Sequence, residues 1–177
     1  MQDMMISRHP LTDSAVHGIE MPGANHLELV ESARIYTVQA FRGQNAAIKS
    51  QLLNAPDVSL RFVGPGDWLA VTFNALPKVD PSAALVVDQS HGRTLFRLKG
   101  PDVVDILMKG VAIDIAGEAL PVGMSANMAF GHLTINVART GENEFEIVGA
   151  RSFAESLYHD LKMAGREFAL SFAVVDR

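Results

Sequence analysis

The stretch that decides the fold is LTINVARTGENEFEIVGARSFAESLYHDLKMAG, residues 133–165. Its first half alternates apolar and polar residues, which predicts a strand, and the polar residues Thr140–Asn143 turn the chain into a second strand, Phe145–Val148. We therefore expect a β-hairpin here. A helix is expected directly after it, because Ser152 and Glu155 have the spacing of a capping box.

The apolar face of this helix follows from the spacing of its large side chains. Phe153, Leu157 and Leu161 recur at intervals of four residues, which brings them to one side of an α-helix. We expect these three side chains to form the stripe that the helix buries.

The chain before the hairpin contains further short elements of both kinds. In the strand predicted at Arg93–Lys99, we expect Phe96 and Leu98 to face the core and Leu95 and Arg97 to point the other way. Helices that alternate with hairpins predict an α+β fold, with helices packed on antiparallel sheets. The other predicted elements are strands at Ile35–Phe41, Trp68–Phe73, Ala84–Asp88 and Phe168–Val175, and helices at Gln44–Leu53 and from Gly100–Pro101 to Lys109.

The chain divides into a leader and a domain. Residues 29–177 are predicted to form a single α+β domain, whereas residues 1–28 contain scattered apolar residues without a helical or strand period. Such a segment buries too little surface to offset the entropy of ordering it. We interpret it as a flexible leader, or as an arm that becomes ordered on a partner or on a second copy of the chain.

The composition excludes several classes of protein. The 177 residues carry a formal net charge of -5 and include no cysteine, so neither a duplex-binding surface nor a thiolate site is expected. The first ten residues lack the apolar core of a signal peptide, and no apolar run reaches the length of a membrane helix. We expect a cytoplasmic protein with neither nucleic acid nor membrane among its partners.

A search for catalytic motifs predicts no catalytic, cofactor-binding or metal-ligating residue on this chain. Gly64–Gly66 lacks the third glycine of a dinucleotide loop and leads into a strand, and none of the six histidines pair at one-turn spacing. Ser90 and His91 lie next to each other, with Asp88 nearby, but adjacency does not make a nucleophile–base pair. We interpret them as a polar turn, and Trp68 as a core residue.

A series of short blocks resembles one family, the gamma subunit of heterotetrameric sarcosine oxidase. Each block is a turn, a strand entry or a helix start, and the resemblance lies in their order and spacing between about residues 29 and 168. The blocks are Gly66–Val71, Asp88–Thr94, Leu98–Pro101, Gly110–Asp114, Pro121–Gly123, Arg139–Gly141, Phe145–Ile147 and Arg151–Ala154.

This resemblance implies a fold similar to the folate-binding domain of aminomethyltransferases. It also implies a non-catalytic structural subunit of a four-subunit cytoplasmic enzyme that oxidatively demethylates sarcosine to glycine. The implied partners are large flavin-carrying subunits and a small subunit. Flavin, NAD and tetrahydrofolate are expected on the large subunits and zinc on the smallest, with no cofactor on this chain.

Two alternatives stay open from the sequence. One is a free-standing folate-binding or aminomethyltransferase-like protein, which would need a carboxylate for the pterin and a cation for the glutamate tail. Asp88, Asp114, Glu118 and Arg139 are the candidates, although their spacing selects none of them. The other alternative is a homo-oligomer formed by the isolated chain.

Overall fold

The computed structural model describes residues 9–13 and 23–176, and within these ranges the chain forms ten strands and four α-helices. Short 3-10 turns precede and follow the last helix. The strands are β1 His26–Val30, β2 Arg34–Ala40, β3 Val58–Gly64, β4 Asp67–Thr72, β5 Ala84–Asp88, β6 Arg93–Lys99, β7 Ser125–Phe130, β8 Leu133–Gly141, β9 Glu144–Ala150 and β10 Ser171–Val175. The helices are α1 Pro10–Asp13, α2 Asn45–Leu53, α3 Val103–Met108 and α4 Ala154–Ala164.

The strands form two sheets. The six-stranded sheet has the order β10-β1-β6-β9-β8-β7, and the four-stranded sheet has the order β3-β4-β2-β5. Every pairing is antiparallel except that of β1 with β10, which joins the start of the domain to its end in parallel. The fold class is therefore α+β with antiparallel sheets and packed helices, as the sequence predicts.

Three apolar layers hold the elements together. Helices α3 and α4 cover one face of the six-stranded sheet, where Phe96 and Leu98 of β6 are buried against them. The opposite face packs on the four-stranded sheet, and helix α2 covers the far side of that sheet with Ile48 and Leu52. Trp68 is buried in this last layer, as predicted. The order is helices, sheet, sheet, helix.

Strand β6 lies in the middle of this arrangement and is buried on both faces. Phe96 and Leu98 are fully buried, as predicted, but Leu95 on the opposite face is also only 1% exposed. The second sheet covers that face, and Leu95 packs there with Ile35 and Val148. A strand between two layers needs apolar residues on both sides.

The predicted stripe on the last helix is correct for two residues and wrong for the third. Leu157 and Leu161 are buried, whereas Phe153 is 55% exposed and Ala154 takes its place in the core. The chain enters α4 through a 3-10 turn that ends at Phe153, so the helix begins one residue later than the capping-box pattern indicates. The cap position is Phe153, which makes no side-chain capping hydrogen bond.

Part of the predicted leader belongs to the domain. Strand β1 begins at His26, inside the range 1–28, and pairs with both β6 and β10. Leu11 is also buried, in the core beneath the helices. Its neighbouring segments, 1–8 and 14–22, lie outside the described residues, so the predicted behaviour of the leader concerns mainly residues that the structure does not describe.

Within the described part of the chain, no helix is long and apolar enough to cross a membrane.

Truncation of the α4 stripe tests this packing. We expect Leu161→Ala to lower the free energy of unfolding by roughly 2–5 kcal/mol, because it leaves a cavity in the core. The matched variant Phe153→Ala removes an exposed side chain and should cost less than about 0.5 kcal/mol. Urea unfolding of both variants measures the difference, and equal losses would show that α4 is packed on another face.

Candidate functional site

A row of alternating charges crosses the inner face of the six-stranded sheet. Glu28, Arg97 and Glu146 are direct neighbours on β1, β6 and β9. Arg97 pairs with Glu146 at 3.0 Å and with Glu28 at 3.3 Å, and Lys99 reaches Glu28 at 3.2 Å. Arg61 of the four-stranded sheet binds Glu146 from across the gap. These five residues form what we call the inter-sheet ion network.

Arg61 is the most unusual member of the inter-sheet ion network. Its side chain is fully buried, and only Nη2 has a partner, while Nε and Nη1 have none among the described residues. Burial lowers the pKa of Arg61 below its ordinary value, and Glu146 opposes this by favouring the charged form. A guanidinium nonetheless remains a cation in proteins. Arg61 and Glu146 therefore form a buried ion pair in which two guanidinium nitrogens, Nε and Nη1, donate to no described residue.

A cavity of about 300 Å³ lies at one end of the sandwich, where the N-terminal segment meets β6. Its walls include His9, Ser90, His91, Arg93 and Arg151. Among the residues that the structure describes, neither guanidinium in this cavity has a hydrogen-bond partner. The cavity is polar and basic, but no acid–base pair is assembled in it.

His9 anchors the N-terminal segment in this cavity. The backbone N–H of Leu11 donates to Nδ1 at 3.2 Å, so Nδ1 carries no proton and Nε2–H donates to Thr94 Oγ1 at 2.9 Å. The pKa of His9 is lowered from 6.5 to about 4, mainly by burial and also by the charge of Arg151, while Glu31 partly opposes both. His9 is therefore neutral at physiological pH and holds the segment as a hydrogen-bonded core residue.

The Ser90 hydroxyl is committed to a carboxylate and not to the neighbouring histidine. Ser90 Oγ donates to Asp88 Oδ1 at 2.5 Å and accepts the backbone N–H of Ile35 at 3.1 Å. The hydroxyl and the backbone N–H of Ser90, which both donate to Asp88 Oδ1, lower the pKa of Asp88. No described hydrogen bond joins Ser90 to His91, and a serine bonded to a carboxylate alone lacks the base that would activate it.

The four residues considered for a folate pocket do not come together. Arg139 of β8 donates to the carbonyl oxygens of Gly117 and Leu120 at 3.3 Å and thereby fastens the connector before β7. Asp114 closes a turn by accepting the N–H of Ala116. Asp88 lies in the other sheet. No described hydrogen bond or ion pair joins any two members of the set of Asp88, Asp114, Glu118 and Arg139.

Among residues 9–13 and 23–176, no group of three or more histidine, aspartate or glutamate side chains is arranged to hold a metal ion.

Sequence reasoning missed the inter-sheet ion network. The available signal was Glu146 between the apolar residues Phe145 and Ile147, at a strand position that faces a second sheet. Arg61 lies at an equivalent inward position of β3. A charged residue on one face of an antiparallel strand is typical of a face in contact with solvent, so the local pattern does not indicate a buried ion pair.

The neutral state of His9 gives a test with a defined sign. The unfolded chain binds a proton on His9 below about pH 6.5, whereas the folded chain does so only near pH 4, so stability falls as the pH drops through this window. We expect the free energy of unfolding to fall less between about pH 7.5 and pH 5 in His9→Gln than in the wild type. The exposed His159→Gln is the control. Identical pH profiles for all three proteins would contradict the buried placement of His9.

The comparisons with known proteins agree with one another. The family model described as sarcosine oxidase, gamma subunit family, matches residues 30–167. The sarcosine oxidase subunit gamma of Corynebacterium sp. strain P-1 is 30% identical over 114 residues, which cover 64% of this chain. The chain spans about half the length of that relative, 55% of it.

Solved structures agree in fold. A chain of heterotetrameric sarcosine oxidase from Corynebacterium sp. U-96 superposes with a TM-score of 0.70 at 22% identity, over 85% of this chain and 89% of that one. The aminomethyltransferase T of the glycine cleavage system from Bartonella henselae superposes with a TM-score of 0.60 at 16% identity, over 85% of this chain and 47% of that protein.

The family match extends over most of the domain, from Val30 at the end of β1 to the turn after α4, and it contains all of β2 to β9. This chain belongs to the sarcosine oxidase gamma subunit family.

Proposed function

We propose that this chain is a non-catalytic structural subunit of a heterotetrameric complex of the sarcosine oxidase type, which oxidatively demethylates sarcosine to glycine in the cytoplasm. Its partners would be large flavin-carrying subunits and one small subunit. Flavin, NAD, tetrahydrofolate and zinc would be held by those partners. The observation that carries the proposal is the family match over residues 30–167.

The use of polar side chains in the fold supports a structural role. Arg139 fastens a connector, Asp88 orders a turn with Ser90, and Glu146 neutralises Arg61 and Arg97 between the sheets. A catalytic acid or base must instead reach a substrate with a suitable pKa. Arg139, Asp88 and Glu146 are therefore engaged in holding the chain together.

Exposed apolar side chains support a role in assembly. Strand β5 lies at an edge of the four-stranded sheet, where Leu85 is 50% and Val87 is 37% exposed. At the end of β3, the other edge, Phe62 is 51% and Val63 is 38% exposed. Exposed apolar side chains on the edge strands of a sheet are surfaces that other chains cover. We assign these two edges to contacts with the larger subunits.

The free-standing folate-binding alternative has no support in the geometry. No described hydrogen bond or ion pair joins any two of its four candidate residues, and Arg139 already donates to four backbone carbonyl oxygens. A tetrahydrofolate site of that design does not fit this chain. The leader, residues 1–28, stays a predicted arm for a partner, with His9 and Leu11 as its anchor on the domain.

The absence of catalysis can be tested on the purified full chain. We expect a colourless protein that does not oxidise sarcosine, because its sequence has no dinucleotide loop and no acid–base pair is assembled among the described residues. An absorption spectrum and an oxygen-electrode assay measure this, with the co-expressed four-subunit complex as positive control. Flavin that stays at stoichiometric level through dialysis would refute the proposal.

The role of the sheet edges is tested by co-purification with the other subunits. We expect the double variant Phe62→Lys and Leu85→Lys to lose at least about tenfold in recovered large subunit, since a charge at a buried apolar contact is costly. Met163→Lys changes an equally exposed residue on α4 and serves as control. Full recovery with the double variant, folded as judged by circular dichroism, would remove these edges from the interface.

A further inference from the structure

A second cavity, of about 180 Å³, lies between the two sheets and is separate from the inter-sheet ion network. We call it the inter-sheet cavity. Its wall on the four-stranded sheet includes Thr37 and Asp67, and its wall on the six-stranded sheet includes Arg93, Thr134 and Asn136. Thr134 is exposed and Asn136 is buried, so the cavity extends from solvent to a polar floor.

The floor holds a buried acceptor without a donor. Asn136 is 3% exposed, and its Nδ2 donates to the carbonyl oxygen of Phe62 at 3.0 Å and to Asn127 Oδ1 at 2.7 Å. These two bonds orient the amide, and Oδ1 then has no hydrogen-bond partner among the described residues. A buried acceptor in this state is costly unless something in the cavity donates to it.

The walls carry two opposite charges that do not meet. Arg93 and Asp67 both line the inter-sheet cavity, from different sheets, yet they form no ion pair with each other. Within the described part of the chain, neither side chain has any other hydrogen-bond or ion-pair partner. Unpaired charges on the walls of one polar cavity leave an electric field across it.

We propose that the inter-sheet cavity binds a small amino acid in its zwitterionic form. The carboxylate would pair with the Arg93 guanidinium, which presents a fork suited to two carboxylate oxygens. The ammonium group would donate to Asp67 and to Asn136 Oδ1, which supplies the donor that this buried oxygen lacks. The volume corresponds to about six water molecules, so it suits an amino acid with a small side chain.

The charge arrangement favours this ligand over a simple anion or cation. A bare carboxylate would pair with Arg93 but would donate no hydrogen bond to Asp67 or to Asn136 Oδ1. A bare amine would leave Arg93 unpaired. A molecule with both groups meets all three side chains. The cavity adjoins the β3 edge assigned to a partner subunit, because Val63 lines it and Asn136 donates to the carbonyl oxygen of Phe62.

The test is isothermal titration of the full chain with glycine, sodium acetate and methylammonium chloride. We expect saturable glycine binding, with acetate and methylammonium each at least about tenfold weaker because each meets half of the site. Arg93→Gln and Asp67→Asn should each weaken glycine binding by about tenfold or more. The exposed matched controls Arg166→Gln and Asp105→Asn should bind glycine as the wild type does.

Three outcomes would overturn the inference: no saturable glycine binding, acetate binding as tight as glycine, or a crystal structure in glycine with ordered water only. Neither the Arg93 nor the Asp67 side chain bonds to a residue that the structure describes, so their variants should unfold at the wild-type temperature. If either variant fails to fold, the Asn136 side-chain amide in the wild type is followed by NMR. Glycine should shift its resonances and acetate should not, and equal responses would also contradict the proposal.

Discussion

The ion pair between Arg61 and Glu146 is the contact on which the placement of the two sheets depends. It is the charged bond that crosses from one sheet to the other within the described residues, and it lies where neither partner has appreciable access to water. Breaking a buried pair by removing one partner is strongly destabilising, because it leaves an uncompensated charge in the interior. A slide of one sheet over the other by a single residue would have the same effect.

The space between the two sheets contains two kinds of packing, one apolar and one polar. Around Ile35, Leu69 and Leu95 the two sheets meet through apolar side chains. Toward β8 and β9, polar side chains lie between the two sheets, and the Asn136 side chain donates a hydrogen bond to the backbone of β3. Polar groups with fixed bonding directions fill space less completely than alkyl chains, so the inter-sheet cavity lies on this side.

Local patterns predicted the elements well, because their signals are local. The hairpin at residues 133–148, the burial of Leu157 and Leu161 and the antiparallel α+β class all follow from periodicity and turn residues. The missed features depend on contacts between distant parts of the chain. Strand β1 is five residues long and stable only through β6 and β10, and Phe153 is exposed because a 3-10 turn precedes the helix. Nothing in the local sequence specifies either contact.

The difference between local signals and long-range contacts also explains why the sequence predicted the fold but not the inter-sheet ion network. The chain shares its architecture with an aminomethyltransferase at 16% identity, so two sheets with helices on both outer faces persist while the side chains change. The fold alone therefore does not specify a function. Arg139 fastens a loop and Glu146 balances two arginines, roles that a search for catalytic motifs does not test. Arg61, Arg97 and Glu146 lock the two sheets together, and the product of these contacts is a rigid body whose polar residues serve the fold.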